Sequence, residues 1–443
     1  MSLYGAMITG ISGLDADSSA MSIYSSNIAN VDTVGYKDVT ANFSTMLTSM
    51  FGNEDDAGVT ASGSQNITQQ GLLQSAASPT DLGISGNGFF VVNSSATGTG
   101  TQSYTRAGNF SPDSNGNLVN GAGYYLMGWA TDASGNVASG TPLSQINVSD
   151  LSGKAEATSN VTLQENLDSS STVETYNLGD MSGNPPNVTP QFSQTVNVYD
   201  SQGGTEPLTI NYVKTGTNTW NYEVEYDGTA TNISAPDSAF PNMLAAGQIS
   251  FNSDGSLAGA TSDILGSGGS SGTNPGMQFG ITYTDGLAAQ SINVNVGTAG
   301  STDGFTQFAS PSVVTNSTVD GALFGSLSGI TVGSNGVVTA NFSNGLSEAI
   351  YQVPLATFPN ENGLAAVQGD AYQSSPTSGS VVINAPNTAG TGSIASSQLE
   401  SSTVDLASEF TNLITVQRAY SASARIVTTA DEMLQTLEQL PSS

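Results

Sequence analysis

Leu406-Ala407-Ser408-Glu409-Phe410-Thr411-Asn412-Leu413-Ile414-Thr415-Val416-Gln417-Arg418-Ala419-Tyr420-Ser421-Ala422-Ser423-Ala424-Arg425-Ile426-Val427-Thr428-Thr429-Ala430-Asp431-Glu432-Met433-Leu434 decides the fold of this chain. Leu406, Leu413, Tyr420, Val427 and Leu434 stand seven residues apart. A strict seven-residue apolar repeat marks a helix that packs along a seam on other helices. Phe410, Ile414, Ala424, Ala430, Met433, Leu437 and Leu440 form a second line that widens the stripe, so this helix requires neighbours on more than one side. Ser402 or Thr403 can cap it, Asp405 and Glu409 sit near its positive end, and Pro441 stops it.

The other end of the chain repeats the pattern. Met7, Leu14, Met21 and Ile28 are again seven apart, inside a four–three alternation running from Leu3 to Val31 with small or polar members at Gly10 and Asp17. Three glycines and many serines make this a weak helix alone, expected to order only on packing. It ends at Asn30-Val31-Asp32-Thr33-Val34-Gly35, a run of turn and cap residues. The spacing leaves two partners open: the other end of the same chain, or further copies of it. Only contacts that do not close on themselves build a tube.

Between the ends the grammar is β. Phe89-Phe90-Val91-Val92 reads as a strand, and so do the alternating runs Val196/Val198, Leu208/Ile210/Tyr212 and Trp220/Tyr222/Val224/Tyr226. Asn-Gly and Asp-Gly pairs recur between such runs, at 115, 120, 227, 254, 285, 303, 320, 335, 344 and 362. The expected fold is mainly β with terminal α-helices: paired coiled-coil-like helices plus two nested antiparallel β-sandwich or barrel domains. Residues 1–37 and 400–443 form the helical domain and 38–79 a connector, which includes Met50 and Phe51. Residues 80–159 with 304–399 form an inner β-domain, and 160–303 an inserted outer one, with small polar stretches at 152–159 and 266–276 as boundary signals.

Composition removes most chemistry. Six Lys and Arg stand against 36 Asp and Glu, a net charge of −30, which argues against nucleic acid and anionic membrane surfaces as partners. Without Cys or His there are no thiol nucleophiles, imidazole bases, disulfides or His/Cys metal sites. No catalytic, cofactor or metal residue is therefore assigned. Asp113-Ser114-Asn115-Gly116-Asn117 spaces oxygen ligands as calcium loops do, but coincides with a turn signal and lacks the bidentate Glu. Glu223 and Glu225 are the candidate glycosidase-like pair, and their alternation with Tyr222, Val224 and Tyr226 places them on a solvated strand face. No apolar run reaches the roughly 20 residues of a membrane span. Met1 to Gly13 lacks the basic and densely apolar regions of a cleaved secretory signal. A secreted adhesin or surface-layer protein is the alternative class, with the β-domains as its working part.

Four blocks resemble a known family. Ser26-Asn27-Ile28-Ala29-Asn30-Val31-Asp32-Thr33-Val34-Gly35-Tyr36-Lys37 resembles the N-terminal signature of the bacterial flagellar rod, hook and hook-associated family. Ser85 to Val92 and Tyr104-Thr105-Arg106-Ala107-Gly108-Asn109-Phe110 resemble its next shared blocks, and Leu399 to Leu440 its C-terminal one. Leu355-Ala356-Thr357-Phe358, Gly390-Thr391-Gly392-Ser393-Ile394 and the large insertion favour its hook-forming members. The resemblance implies a helical homopolymer: a curved, flexible tube that carries torque from rod to filament. It implies as partners the distal rod protein, a hook cap, a hook–filament junction protein and the flagellar export apparatus. It also implies an extracellular location reached without a cleaved signal. Met7, Leu14, Met21, Ile28, Leu406, Phe410, Leu413, Tyr420, Val427 and Leu434 become the expected polymer-core interface. Asn27, Asn30, Gly35 and Tyr36 become the helix exit.

Overall fold

A computed structural model describes residues 3–49, 55–132, 134–149, 151, 153–182, 185–234, 239–263 and 276–438. Met50, Phe51, most of the 266–276 boundary, Leu440 and Pro441 lie outside the described residues. The chain divides into two compact units: 1–150 with 329–341 and 347–443, and an inserted unit of 151–328 with 342–346. The insertion is thus wider than 160–303, and the helical ends belong to the same unit as the first β-structure.

In the first unit, helix α1 (Leu3–Ala29) and helix α2 (Leu406–Glu438) lie side by side, antiparallel, with Gly10 against Val427 and Asp17 against Ser423. The chain between helix and β-structure is a long hairpin. Strand β1 (Val39–Ser49) pairs with strand β2 (Asp55–Gln65) in register from Val39↔Gln65 to Ser49↔Asp55. Small residues let it lie on α1: Gly58 sits over Ser12, Gly63 over Ile23, and the Val59 amide donates to Ser12 Oγ at 3.3 Å.

The remaining strands of this unit build a largely antiparallel array around Phe89–Asn93, which pairs with Gln102–Thr105 and Tyr125–Ala130. Phe89-Phe90-Val91-Val92 is fully buried because both faces of the strand are covered. Phe90 and Val92 join Leu82, Ile84, Phe110 and Leu355 on one side. Phe89 and Val91 join Tyr104, Phe358 and Tyr372 on the other.

The inserted unit holds a five-stranded antiparallel meander, Phe192–Tyr199, Thr205–Gly216, Thr219–Tyr226, Met243–Phe251 and Leu257–Asp263. A second sheet contains Gly276–Ile281, Gln290–Asn295, Asn160–Asn166 and Val313–Val319. One pair in this sheet departs from the antiparallel pattern. Asn160–Asn166 runs parallel to Gln290–Asn295, because these strands are joined through the whole meander rather than by a hairpin turn. One core fills the unit, with Trp220, Tyr212, Tyr222, Phe279 and Phe305 buried together and Trp220 Nε1 donating to Gln307 Oε1 at 2.8 Å.

Two local readings are corrected. Glu223 is fully buried rather than solvated. The segment around Tyr176–Gly179 covers its face, and its carboxylate accepts from Tyr176 Oη at 2.8 Å and the Gly179 amide at 2.7 Å. Burial raises its pKa, while burial and the nearby Glu223 charge push Glu225 up to about 7. Helix α2 is capped by Asp405, whose Oδ1 accepts from the Ala407 and Ser408 amides at 2.9 and 3.2 Å; Thr403 is engaged elsewhere.

The 113–117 stretch is a turn. Asp113 Oδ1 accepts the amides of Asn115 and Asn117, and Gly116 takes φ +80°. Among the described residues no group of three or more acidic side chains is placed to hold a metal ion.

Candidate functional site

The helical ends present two faces, and the residues of the repeat are divided between them. In α1 the face turned to α2 carries the small and polar members of the four–three seam: Gly10, Asp17, Ala20 and Tyr24 are buried, Gly10 against Val427, Asp17 against Ser423, and Ala20 and Tyr24 in one cluster with Val416. Met7, Leu14, Met21 and Ile28 flank it, half-buried. Gly10 is required there, since a Cβ on it would lie 2.8 Å from Val427 Cγ2. On α2 the matching face carries Val416 and Ala430, both buried, with Leu413 and Val427 half-buried. The remaining members of the expected interface, Leu406, Phe410, Tyr420 and Leu434, stay exposed, Phe410 by 50%. Ile414, Ile426 and Met433 are exposed beside them. One chain buries a narrow strip of its α2 and leaves a long apolar surface uncovered.

Asn27 and Tyr36 form the joint between helix and β-structure. Tyr36 Oη donates to Asn27 Oδ1 at 3.1 Å, the Asn27 amide nitrogen donates to Val39 O at 2.9 Å, and the Val39 amide returns to Asn27 Oδ1 at 3.1 Å. The side chain of Asn27 thus ties the end of α1 to the first residue of the hairpin and to Tyr36. Asn30 works locally as the helix stop, its side chain donating to Ser26 O at 2.9 Å and accepting from Thr33 Oγ1 at 3.2 Å. Gly35 takes φ +73°, and a Cβ there would meet the Ala107 backbone nitrogen at 2.7 Å. Both constraints demand glycine.

Directly beneath the joint lies a charge cluster that no local pattern announced. Glu400, on the strand leading into α2, is fully buried between two cations. Lys37 Nζ reaches its Oε1 at 2.5 Å, and Arg106 Nη1 its Oε2 at 3.1 Å. The Gly71 amide also donates to Oε1, at 2.8 Å, while the Gly35 amide donates to the Glu400 carbonyl at 2.8 Å. Lys37 donates further to Gln69 O, and Arg106 Nη2 to Gly86 O at 3.0 Å. The Arg106 guanidinium lies over the Phe89 ring, 5.2 Å from its centroid. Burial pulls the Lys37 ammonium below its ordinary pKa, and the Glu400 charge opposes that shift.

Beside the cluster, Thr403 accepts from the Asp38 amide at 2.9 Å and donates to Asp38 Oδ1 at 2.8 Å. Glu400, Lys37 and Arg106 therefore tie the chain's two ends to one another and to the β-array. Their signal in the sequence was scarcity: of only six cations in the chain, four fall inside its most recognisable blocks, Lys37 and Arg106 among them.

Matches to known families cover these regions. The descriptions are "Flagella basal body rod protein" at 7–37, "Flagellar hook protein FlgE/F/G D1 domain" at 83–169, "Flagellar basal body protein FlaE D2 domain" at 166–322 and "Flagellar basal body rod FlgEFG protein C-terminal" at 395–440. Helical ends paired on a β-rich body, with these four matches in this order, define a structural component of the bacterial flagellum.

Whole-chain relatives narrow the class. The flagellar hook protein FlgE of Caulobacter vibrioides is 33% identical, the alignment covering 99% of each chain. That of Escherichia coli is 30% identical over 98% of this chain and 100% of the relative. The crystal structure of Helicobacter pylori flagellar hook protein FlgE2 aligns with TM-score 0.47 and 14% identity, covering 74% of this chain and 100% of that one. The chain belongs to the flagellar hook protein FlgE family. It is a structural subunit of the flagellar hook, outside the cell, in a family not known to be enzymatic. Nothing supports the adhesin alternative. Membership is consistent with homopolymerisation and with assembly of rod and hook.

Proposed function

We propose that copies of this chain polymerise through the outward faces of α1 and α2 into a curved, flexible helical tube that transmits torque from rod to filament. One observation carries this reading. Phe410, Ile414, Ile426 and Met433 stand 48–54% exposed along a single 33-residue helix, more large apolar side chains than are left in water by accident. Contacts of this kind join unlike patches and need not close, as a tube requires.

The helices would form a closely packed inner layer that resists twist. The β-units, whose surfaces are rich in Ser, Thr, Asn and Gly, would make hydrated, exchangeable contacts that tolerate bending. Asn27, Asn30, Gly35 and Tyr36 set the exit from the helical layer. The distal rod protein, hook cap and hook–filament junction protein are the proposed neighbours along the axis. The flagellar export apparatus is the proposed route out, without a cleaved signal.

The sharpest test uses a large apolar residue that α2 leaves half-exposed. Phe410→Asp leaves the intramolecular helix contact intact and is expected to abolish polymers in electron micrographs while the circular dichroism of the soluble chain stays unchanged. Normal tubes from Phe410→Asp would overturn the proposal.

A further inference from the structure

All six cations of the chain lie within the described residues, and four have uses inside it or sit partly covered. Lys37 and Arg106 are buried on Glu400. Lys214 is buried, donating to the carbonyls of Ser169 and Ser171. Lys154 is half-buried in the inserted unit. The two that remain, Arg418 and Arg425, are exposed, and both are on α2.

Their placement on that helix is not neutral. Seven residues apart, they lie about two turns, or roughly 10.5 Å, from one another along one side. At about 100° per residue this side is opposite Leu413, Val416, Ser423 and Ala430, the residues turned towards α1. Both arginines therefore sit in the middle of the outward face, in a shallow groove lined also by Ile414 and Ile426. No acidic residue occurs three or four positions from either, and among the described residues neither has an ion pair. Asp17, the acid of α1 nearest to α2, is turned to Ser423 on the other side.

A partner that covers Ile414 and Ile426 must also cover these guanidinium groups, and burying a charge without a counter-charge is costly. The partner surface therefore has to be acidic. The chain itself supplies such a surface. Asp15 stands exposed on the outward side of α1, next to Ile11, which is 44% exposed. Glu432 continues the line of Arg418 and Arg425 at the same seven-residue step, also exposed.

We infer that Arg418 and Arg425 pair with Asp15 and Glu432 of a second copy of this chain, fixing the register in which the apolar helix faces meet. The inference rests on the proposed polymerisation through α1 and α2 and adds its charge code. Apolar stripes alone tolerate sliding by a turn; two cations and two carboxylates at set heights do not.

The test is assembly of the full chain, followed by light scattering and electron microscopy from 50 to 500 mM NaCl. Arg418→Gln/Arg425→Gln is expected to slow assembly by about tenfold and to flatten its salt dependence, since paired charges are screened by salt. Arg418→Glu/Arg425→Glu should not assemble alone, and adding Asp15→Arg/Glu432→Arg in the same chain should restore tubes. Assembly of the Gln variant at the wild-type rate, with the wild-type salt dependence, overturns the inference while leaving the polymer intact. Failure of the fourfold exchange to recover any assembly also overturns it. Retention of wild type by phosphatidylglycerol vesicles, lost in a Gln variant that still assembles normally, would assign the arginines to an anionic surface and equally overturn it. Loss of polymer from Phe410→Asp reports separately on the underlying interface.

Discussion

The α1–α2 pair and the inserted unit bury apolar surface in opposite ways. The inserted unit closes on itself: Trp220, Tyr212, Tyr222 and Phe305 lie in one sealed core, and even Glu165 and Glu223 are enclosed. The helix pair closes mainly on small residues such as Gly10 and Ala20, with Tyr24 and Val416 among them, and leaves Phe410, Ile414, Ile426 and Met433 exposed. A fully buried large side chain is worth about 1.5–3 kcal/mol and an alanine far less, so one copy of the pair holds itself together weakly. Stability kept within the chain belongs to the β-structure. Stability withheld at the helices is available for assembly.

The largest effect is expected where the weak pair is fastened to the strong β-array. Glu400→Gln keeps the volume but leaves Lys37 and Arg106 facing no carboxylate. Lys37 can shed its proton, whereas Arg106 cannot. Breaking such a buried cluster costs about 3–5 kcal/mol. Hydrogen exchange should accelerate at Gln69–Gly71 and at the start of α2, with the amides around Trp220 unchanged. Equal acceleration at Trp220 would erase the contrast between the regions.

A pH titration should separate them from the other side. In the inserted unit Glu165 is buried with no hydrogen bond of ordinary geometry to either carboxylate oxygen. Burial pushes it up to about 8 from an ordinary 4.5, the Tyr212 hydroxyl opposing the shift. The folded form therefore holds a proton that the unfolded form has released. Its stabilising contribution is complete below pH 4.5 and is lost as the pH rises through 8. The slope is at most about 1.4 kcal/mol per pH unit, so roughly 3 kcal/mol should disappear between pH 5 and 8. Calorimetry of the whole chain should show the transition of the inserted unit falling with pH, and Glu165→Gln should flatten it. Glu225, partly exposed, should add a smaller term of the same sign. A helix-pair signal that falls in parallel would show that the regions are not independent in stability.

How much of this was legible follows from what kind of information each feature needs. Local periodicity was enough for the two helices and for strands such as Phe89–Asn93 and Trp220 to Tyr226, because the residues that bury them recur at fixed steps. It misled wherever burial came from afar. Period two made Glu223 look solvated, but the Tyr176–Gly179 segment that covers it is more than forty residues away. The parallel pairing of Asn160–Asn166 with Gln290–Asn295 and the meeting of Lys37, Arg106 and Glu400 are likewise products of chain return. The four–three seam of the first helix already held Gly10 and Asp17 as its small and polar members, beside the larger residues of the repeat. The actual contact in one subunit runs along Gly10, Asp17 and Tyr24, where small size and a hydrogen bond to Asp17 from Ser423 matter more than hydrophobicity.

That last difference yields the smallest expected effect, a comparison of two glycines. At Gly10 a new Cβ meets Val427 Cγ2 at 2.8 Å and Ile426 Cγ2 at 3.5 Å, and Val427 is stiff at χ1. At Gly259, in the strand Leu257–Asp263 of the inserted unit, nothing lies within 4 Å. Gly10→Leu should cost about 1–3 kcal/mol through overpacking, offset in part by a helix-propensity gain of about 1 kcal/mol. Gly259→Thr should be neutral or stabilise by up to about 1 kcal/mol, because β-branched residues fit an open strand position. Fluorescence quenching between labels placed at exposed Ser18 and Ser421 would report helix separation. Gly10→Leu should lengthen it and Gly259→Thr should not. If Gly10→Leu left both the separation and the stability unchanged, the helices would not be held at the close approach their small residues permit, and the weakness of the pair would need another cause.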